Sequence, residues 1–169
     1  MKTFSFILTL SFALLLVSCM PANEKQTSND WLTGAPNDTV RFERLQRYLR
    51  GFDQPMWEVG ERYRSLHDAL TRNNFDLASY HWDKIRTAIA NGYLKRPARQ
   101  ANADALFLNR VWETVQEALT SQDLDKAWRG FEQAKTACQA CHIAESVPFM
   151  NDQALFDLAA PGQALESAK

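Results

Sequence analysis

From Asp38 onward, apolar residues recur at three- and four-residue steps with charged residues between them, the period of one helical face. Thr39 to Arg50 predicts a short first helix, with Val40, Leu45, Tyr48 and Leu49 turned inward and Gly51 ending it. A second starts near Asp53, with Pro55 suited to a first turn. Its stripe is Met56, Val59, Gly60, Tyr63, Leu66, His67 and Leu70, and Asn73-Asn74 breaks it. The third runs from Phe75 with Ala78, His81, Trp82, Ile85, Ala88 and Ile89 on one face, closed by Gly92 and Pro97. The fourth covers about Ala101 to Leu119, with Leu108, Val111, Trp112, Val115 and Leu119 inward. Thr120, Ser121, Asp123 and Asp125 suit the start of the last helix. That helix carries Leu124, Ala127, Trp128, Phe131, Ala134, Cys138 and Cys141 on its stripe, and Pro148 limits its length. Strand-like alternation is scarce. The expectation is an all-α fold over 38–150: an antiparallel four-helix bundle with a short extra N-terminal helix. Trp57, Trp82, Trp112 and Trp128, one per main helix, read as core or core-edge pieces.

The ends read differently. Met1 and Lys2 precede an apolar run from Phe4 to Val17, too short for a typical spanning helix but fitting a signal peptide over 1–18. Leu16-Val17-Ser18-Cys19 resembles a bacterial lipobox, in which the cysteine receives lipid and becomes the mature N-terminus. The polar stretch 19–37 then reads as a lipidated tether. Residues 151–169, rich in Ala, Gly and small polar residues, read as a loosely ordered, flexible tail.

Composition narrows the function classes. Nineteen Lys and Arg against 20 Asp and Glu leave a formal charge of −1, which argues against a nucleic-acid binder. No convergent acid/base set marks an enzyme. The three cysteines are all spoken for: Cys19 by lipid, and Cys138 and Cys141 by the motif below.

Cys138, Gln139, Ala140, Cys141 and His142 spell C-Q-A-C-H. Two thiols at this spacing can each add across a vinyl group of haem, and the following histidine reaches the iron from one face. On a helix, Cys138, Cys141 and His142 share a side. A zinc site would need more Cys or His ligands than the chain offers nearby. A redox C-x-x-C usually opens a helix beside a strand, and none is predicted here. The motif therefore points to one covalent haem c, bound by Cys138, Cys141 and His142.

A helical bundle with C-x-x-C-H on its last helix, near the C-terminus, resembles cytochrome c-prime and its low-spin relatives over roughly Asp53 to Glu145. The resemblance implies His142 as proximal iron ligand. It also implies either an open far side or, as in the low-spin relatives, a methionine from the start of the first bundle helix. Met56 stands at the matching position. Met150 and His67 compete with it, and His81 reads as a partly buried structural histidine. The arginine that often follows the histidine in the family is missing: Ile143, Ala144, Glu145 and Ser146 follow instead. Lys95, Arg96 and Arg99 form a basic cluster suited to the end of the third helix or to haem propionates.

These features together predict a lipid-anchored monohaem cytochrome that passes electrons to a redox partner protein in the periplasm, with the outer membrane the favoured address. Two alternatives stand beside it: a five-coordinate haem protein that binds nitric oxide or carbon monoxide, and a lipoprotein interaction module with a structural haem.

Overall fold

The computed structural model describes residues 30–161. The leader, Cys19, most of the tether and positions 162–169 lie outside them. Every regular element among the described residues is helical. The chain divides into two compact units, with the boundary between Tyr48 and Leu49.

In the first unit, the Asp30 carboxylate accepts the N–H groups of Leu32 (2.9 Å) and Thr33 (2.6 Å) in a tight turn. Asn37 then caps helix α1 (Asp38–Leu49) by accepting the Val40 N–H at 3.0 Å. Trp31 packs against Tyr48 with ring centroids 5.4 Å apart. No residue of α1 is buried. The sequence assigned this helix to the domain spanning 38–150, yet nearly all of it belongs to the separate unit. Five of its 12 residues are charged, which leaves little apolar surface to bury.

The second unit holds α2 (Asp53–Thr71) and α3 (Phe75–Lys95). Next come a 3₁₀ turn (Pro97–Arg99), the short α4 (Gln100–Ala103), α5 (Trp112–Thr120) and α6 (Leu124–Ala144). Asn74 and Asp123 cap α3 and α6 with side-chain oxygens. The αL residues Asn73 and Ser146 end α2 and α6, each in a Schellman pair of hydrogen bonds.

The fourth predicted helix is interrupted. Between α4 and α5 lies a π turn, Asp104–Leu108, in which the Asn109 N–H reaches the Asp104 carbonyl at 2.9 Å. This turn sends Phe107 into the core against Trp82 (5.5 Å) and leaves Leu108, Val111 and Trp112 half-buried. Asp104 also accepts the Tyr93 hydroxyl at 2.7 Å.

Three helix pairs are tied by specific contacts, and in each the numbering rises along one partner as it falls along the other. Tyr63 and His67 of α2 meet Phe131 and Trp128 of α6. Tyr93 and Trp82 of α3 meet Asp104 and Trp112. Asn102 and Val115 meet Glu145 and Gly130. Helices α2 and α3 also pack together, joined by a three-residue turn. The fully buried large side chains are Trp82, Phe131, Leu66, Leu70, Ile85, Leu119 and Val115.

Four apolar residues read as inward face out, two of them Tyr48 and Leu49 of α1. Trp57 is 77 % exposed, because it sits about 100° around α2 from Met56. Leu124, the first residue of α6, precedes the buried layer that starts at Ala127 and Trp128.

The predicted flexible tail is corrected over residues 151–161. Leu155 and Phe156 are buried in a 3₁₀ turn, and Leu158 and Ala160 pack on the same core. Lys135 Nζ donates to the Leu158 carbonyl (3.1 Å), and His67 Nε2 donates to the Ala159 carbonyl (2.9 Å). A small-polar composition hid this cluster of large apolar residues.

The two tryptophans separate core from surface. Trp82→Ala, which removes a fully buried indole and its N–H bond to the Trp112 carbonyl, should cost about 3–5 kcal/mol. Trp57→Ala should stay within about 0.5 kcal/mol of the parent. Urea denaturation of both variants measures this, and equal costs would contradict the exposed position of Trp57.

Candidate functional site

Cys138, Cys141 and His142 lie in the last two turns of α6, all half-buried. The helix runs unbroken through Ala144, so the i, i+3, i+4 spacing puts the three on one face. Both thiols pack against the core also lined by Met56 and Val59. Burial, with the neighbouring Cys141 second, pushes the Cys138 thiol up to about 12. Burial and the Glu145 carboxylate also raise Cys141, while Arg99 opposes them. Protonated thiols are poor nucleophiles toward disulfides, which weighs against a thiol–disulfide exchange site. Among the described residues, no group of three or more His, Cys, Asp or Glu gathers as a metal cluster.

The end of α6 is held firmly. Ser146, at φ 61°, donates its N–H to the Ile143 carbonyl (3.0 Å), and Val147 donates to the His142 carbonyl (2.9 Å). Glu145 accepts from Asn102 Nδ2 at 2.7 Å and forms an ion pair with Arg99, whose guanidinium also reaches the Glu145 carbonyl. The basic cluster is thus already engaged: Lys95 Nζ donates to the Leu49 carbonyl at 2.7 Å and to Gln54, and Arg96 to the Lys95 carbonyl at 2.7 Å.

The His142 ring has one committed edge. Its Nδ1 lies 2.8 Å from Asn151 Oδ1, and the Phe156 ring meets it edge-on at 5.8 Å. Asn151 Nδ2 donates to the Gln139 carbonyl at 3.2 Å. Nε2, across the ring from Nδ1, has no hydrogen-bond partner among the described residues.

The competing ligands separate clearly. Tyr63 stacks on Phe131 at 4.3 Å, and Met56 precedes Tyr63 by seven residues while Cys138 follows Phe131 by seven. Because the two helices run in opposite senses here, Met56 and Cys138 stand at one level. Met56 is half-buried. His67 stands instead beside Trp128 (5.3 Å) and Phe131 (5.5 Å), with Nε2 committed to Ala159. Trp128 is ten residues before Cys138, or roughly 15 Å along α6. His67 is therefore a packing histidine remote from the motif. Met150 immediately precedes Asn151, the residue held at the Nδ1 edge of His142. His81 is half-buried with an unpaired Nδ1, and burial lowers its pKa.

Around the motif end of the unit, Phe52 stacks on Tyr93 at 6.5 Å. A Cβ on Gly92 would fall 2.5 Å from the Phe52 ring, so glycine is what lets that ring lie against α3. Sequence reading missed Asn151, Phe156, Asn102 and the Arg99–Glu145 pair. Their partners lie 9 to 46 positions away, beyond any helical repeat.

No protein-family model, curated protein or solved structure matches this chain.

Glu145 is the bracket between the end of α6 and the start of α4. Glu145→Ala should lose about 1–2 kcal/mol, since it strips partners from Arg99 and Asn102 together. Glu145→Gln keeps an acceptor for Asn102 and should lose less. Thermal unfolding of the pair checks the order, and equal, negligible losses would show that the bracket carries no stability.

Proposed function

We propose that the second unit is an antiparallel four-helix bundle that carries one covalent haem c, and that the protein is a periplasmic electron carrier. The alternating sense of the helix pairs supports the bundle. The carrying observation for haem is the side shared by Cys138, Cys141 and His142, with the imidazole fixed so that Nε2 is left without a partner. The residues fit the group: two thiols at thioether spacing, one imidazole ligand, and an apolar wall beside them.

Bound haem would supply the one-electron redox chemistry. The chain's own residues do the rest. Cys138 and Cys141 hold the group to α6, and His142 supplies Nε2. Met56, level with Cys138 on the facing helix, is the favoured sixth ligand. Its thioether is neutral and soft, so it favours the ferrous form relative to a second histidine. Met150 neighbours the opposite edge of His142, and His67 is about three turns too far, so both are weaker candidates than Met56.

The anchor would be lipid on Cys19, facing the periplasm, with the outer membrane as the favoured address because Met20 rather than Asp follows it. No helix among the described residues is long and apolar enough to cross a membrane. Gas binding, or a structural haem in an interaction module, remains the reading to test against.

One set of spectra addresses the haem. After co-expression with haem-attachment machinery, the protein should stay coloured through denaturing electrophoresis, and replacing Cys138 and Cys141 with alanine should abolish that stain. The oxidised protein should be low-spin with the weak near-infrared sulfur-to-iron band, and Met56→Ala should make it high-spin and open to carbon monoxide. A colourless wild type sinks the haem reading. A wild type that is already high-spin transfers the case to gas binding. For the anchor, Cys19→Ser should move the protein from the membrane pellet to the soluble periplasmic fraction; continued pelleting would rule lipid out.

A further inference from the structure

The segment 148–161 does more than cover the core: it fixes which nitrogen of His142 can bind a metal. Asn151 is held from two sides. Its Nδ2 faces the Gln139 carbonyl at 3.2 Å, and a carbonyl can only accept. The amide is therefore oriented with Nδ2 toward Gln139 and Oδ1 toward His142. The flipped amide would set two carbonyl oxygens against each other. Oδ1 in turn can only accept, so the His142 nitrogen 2.8 Å away must carry the proton. The imidazole is held as the Nδ1–H tautomer, and its lone pair sits on Nε2. The Phe156 ring, buried and edge-on at 5.8 Å, blocks the ring from turning.

The geometry points to Asn151 as a positioning residue for His142: it selects the Nε2 ligand, aims the ring and sets the basicity of the iron ligand. This role rests on the haem reading above. An acceptor on Nδ1–H pushes electron density toward Nε2, which stabilises ferric iron relative to ferrous. The same motif residue, Gln139, whose side chain takes no part, anchors the amide through its backbone. The motif thus orients its own histidine by way of a residue nine positions downstream.

The test is a redox titration of the haem-loaded full chain with three residues at position 151. Asn151→Asp strengthens the acceptor and should lower the potential. Asn151→Leu removes it and should raise the potential. Each shift should approach about tenfold in the ferric/ferrous equilibrium, or about 59 mV for one electron. The acid midpoint for losing His142 from the iron should rise in Asn151→Leu, because the ring is no longer held. Opposite signs are the signature, since mere loosening of the segment would move both variants the same way. Shifts of one sign, or none, overturn the role. If neither variant folds, the Nδ1–H proton of oxidised wild type decides by nuclear magnetic resonance: slow solvent exchange supports the role and fast exchange overturns it. A wild type without covalent haem is a separate outcome, which removes the haem reading and this role with it.

Discussion

The contact between Tyr63 and Phe131 sets the register on which the rest of the second unit depends. The rings lie 4.3 Å apart and nearly parallel, and the Tyr63 hydroxyl donates to the Phe131 carbonyl at 3.2 Å. Burial, with the nearby Cys138 and Glu132 behind it, raises the Tyr63 pKa well above the ordinary phenol range, so the donor keeps its proton. The Phe131 carbonyl lies inside α6 and keeps its helical N–H partner, so losing the hydroxyl would cost about one ordinary hydrogen bond, about 1 kcal/mol. A slip of one residue in α2 would turn its stripe by about 100° and carry Tyr63 off Phe131. The same slip would carry Met56 away from the level of Cys138. One aromatic pair therefore decides both the packing and the candidate ligand geometry.

The C-terminal segment adds a second constraint through two histidines with opposite tautomers. His67 bonds the Ala159 carbonyl through Nε2, so that nitrogen carries the proton and faces protein. His142 bonds Asn151 through Nδ1, so its Nε2 stays free. One strap of chain turns one imidazole into a packing piece and leaves the other able to bind. Buried Leu155, lying against Gly60, and buried Phe156 fasten the strap, so these hydrogen bonds sit on ordered backbone.

Much of the fold was legible because it is periodic. The bounds of α2, α3 and α6 follow from stripes such as Leu66–Leu70 and Phe131–Ala134, from the break at Asn73-Asn74 and from the acidic start of α6 at Asp123 and Asp125. The motif was legible because its spacing is local. The π turn at Asp104–Leu108 was not, because it answers to Trp82 and Tyr93, which are distant in sequence. The exposure of Trp57 shows the limit of hydrophobicity without phase: a tryptophan one position off a stripe stays outside. Asn151 was hidden for a similar reason, since a lone asparagine in a polar segment carries no pattern until its two partners are brought to it.

The charges near His142 are pinned as firmly as its tautomer, and this bears on how a redox centre there would behave. The C-terminal end of α6 carries the negative pole of the helix, which favours a cation in its last turn. Glu145 would add a full negative charge, but Arg99 and Asn102 hold it in a half-buried bracket. The ion pair leaves little net charge to respond to salt or to partner approach. The Schellman bonds occupy the Ile143 and His142 carbonyls, which fixes the dipole's direction as well. With mobile surface charge removed from the account, the groups left to set a potential are the ligand on the far side and the acceptor on Nδ1. In the proposed haem form both are single side chains, Met56 and Asn151, each supplied by an element that packs against the core independently of the motif.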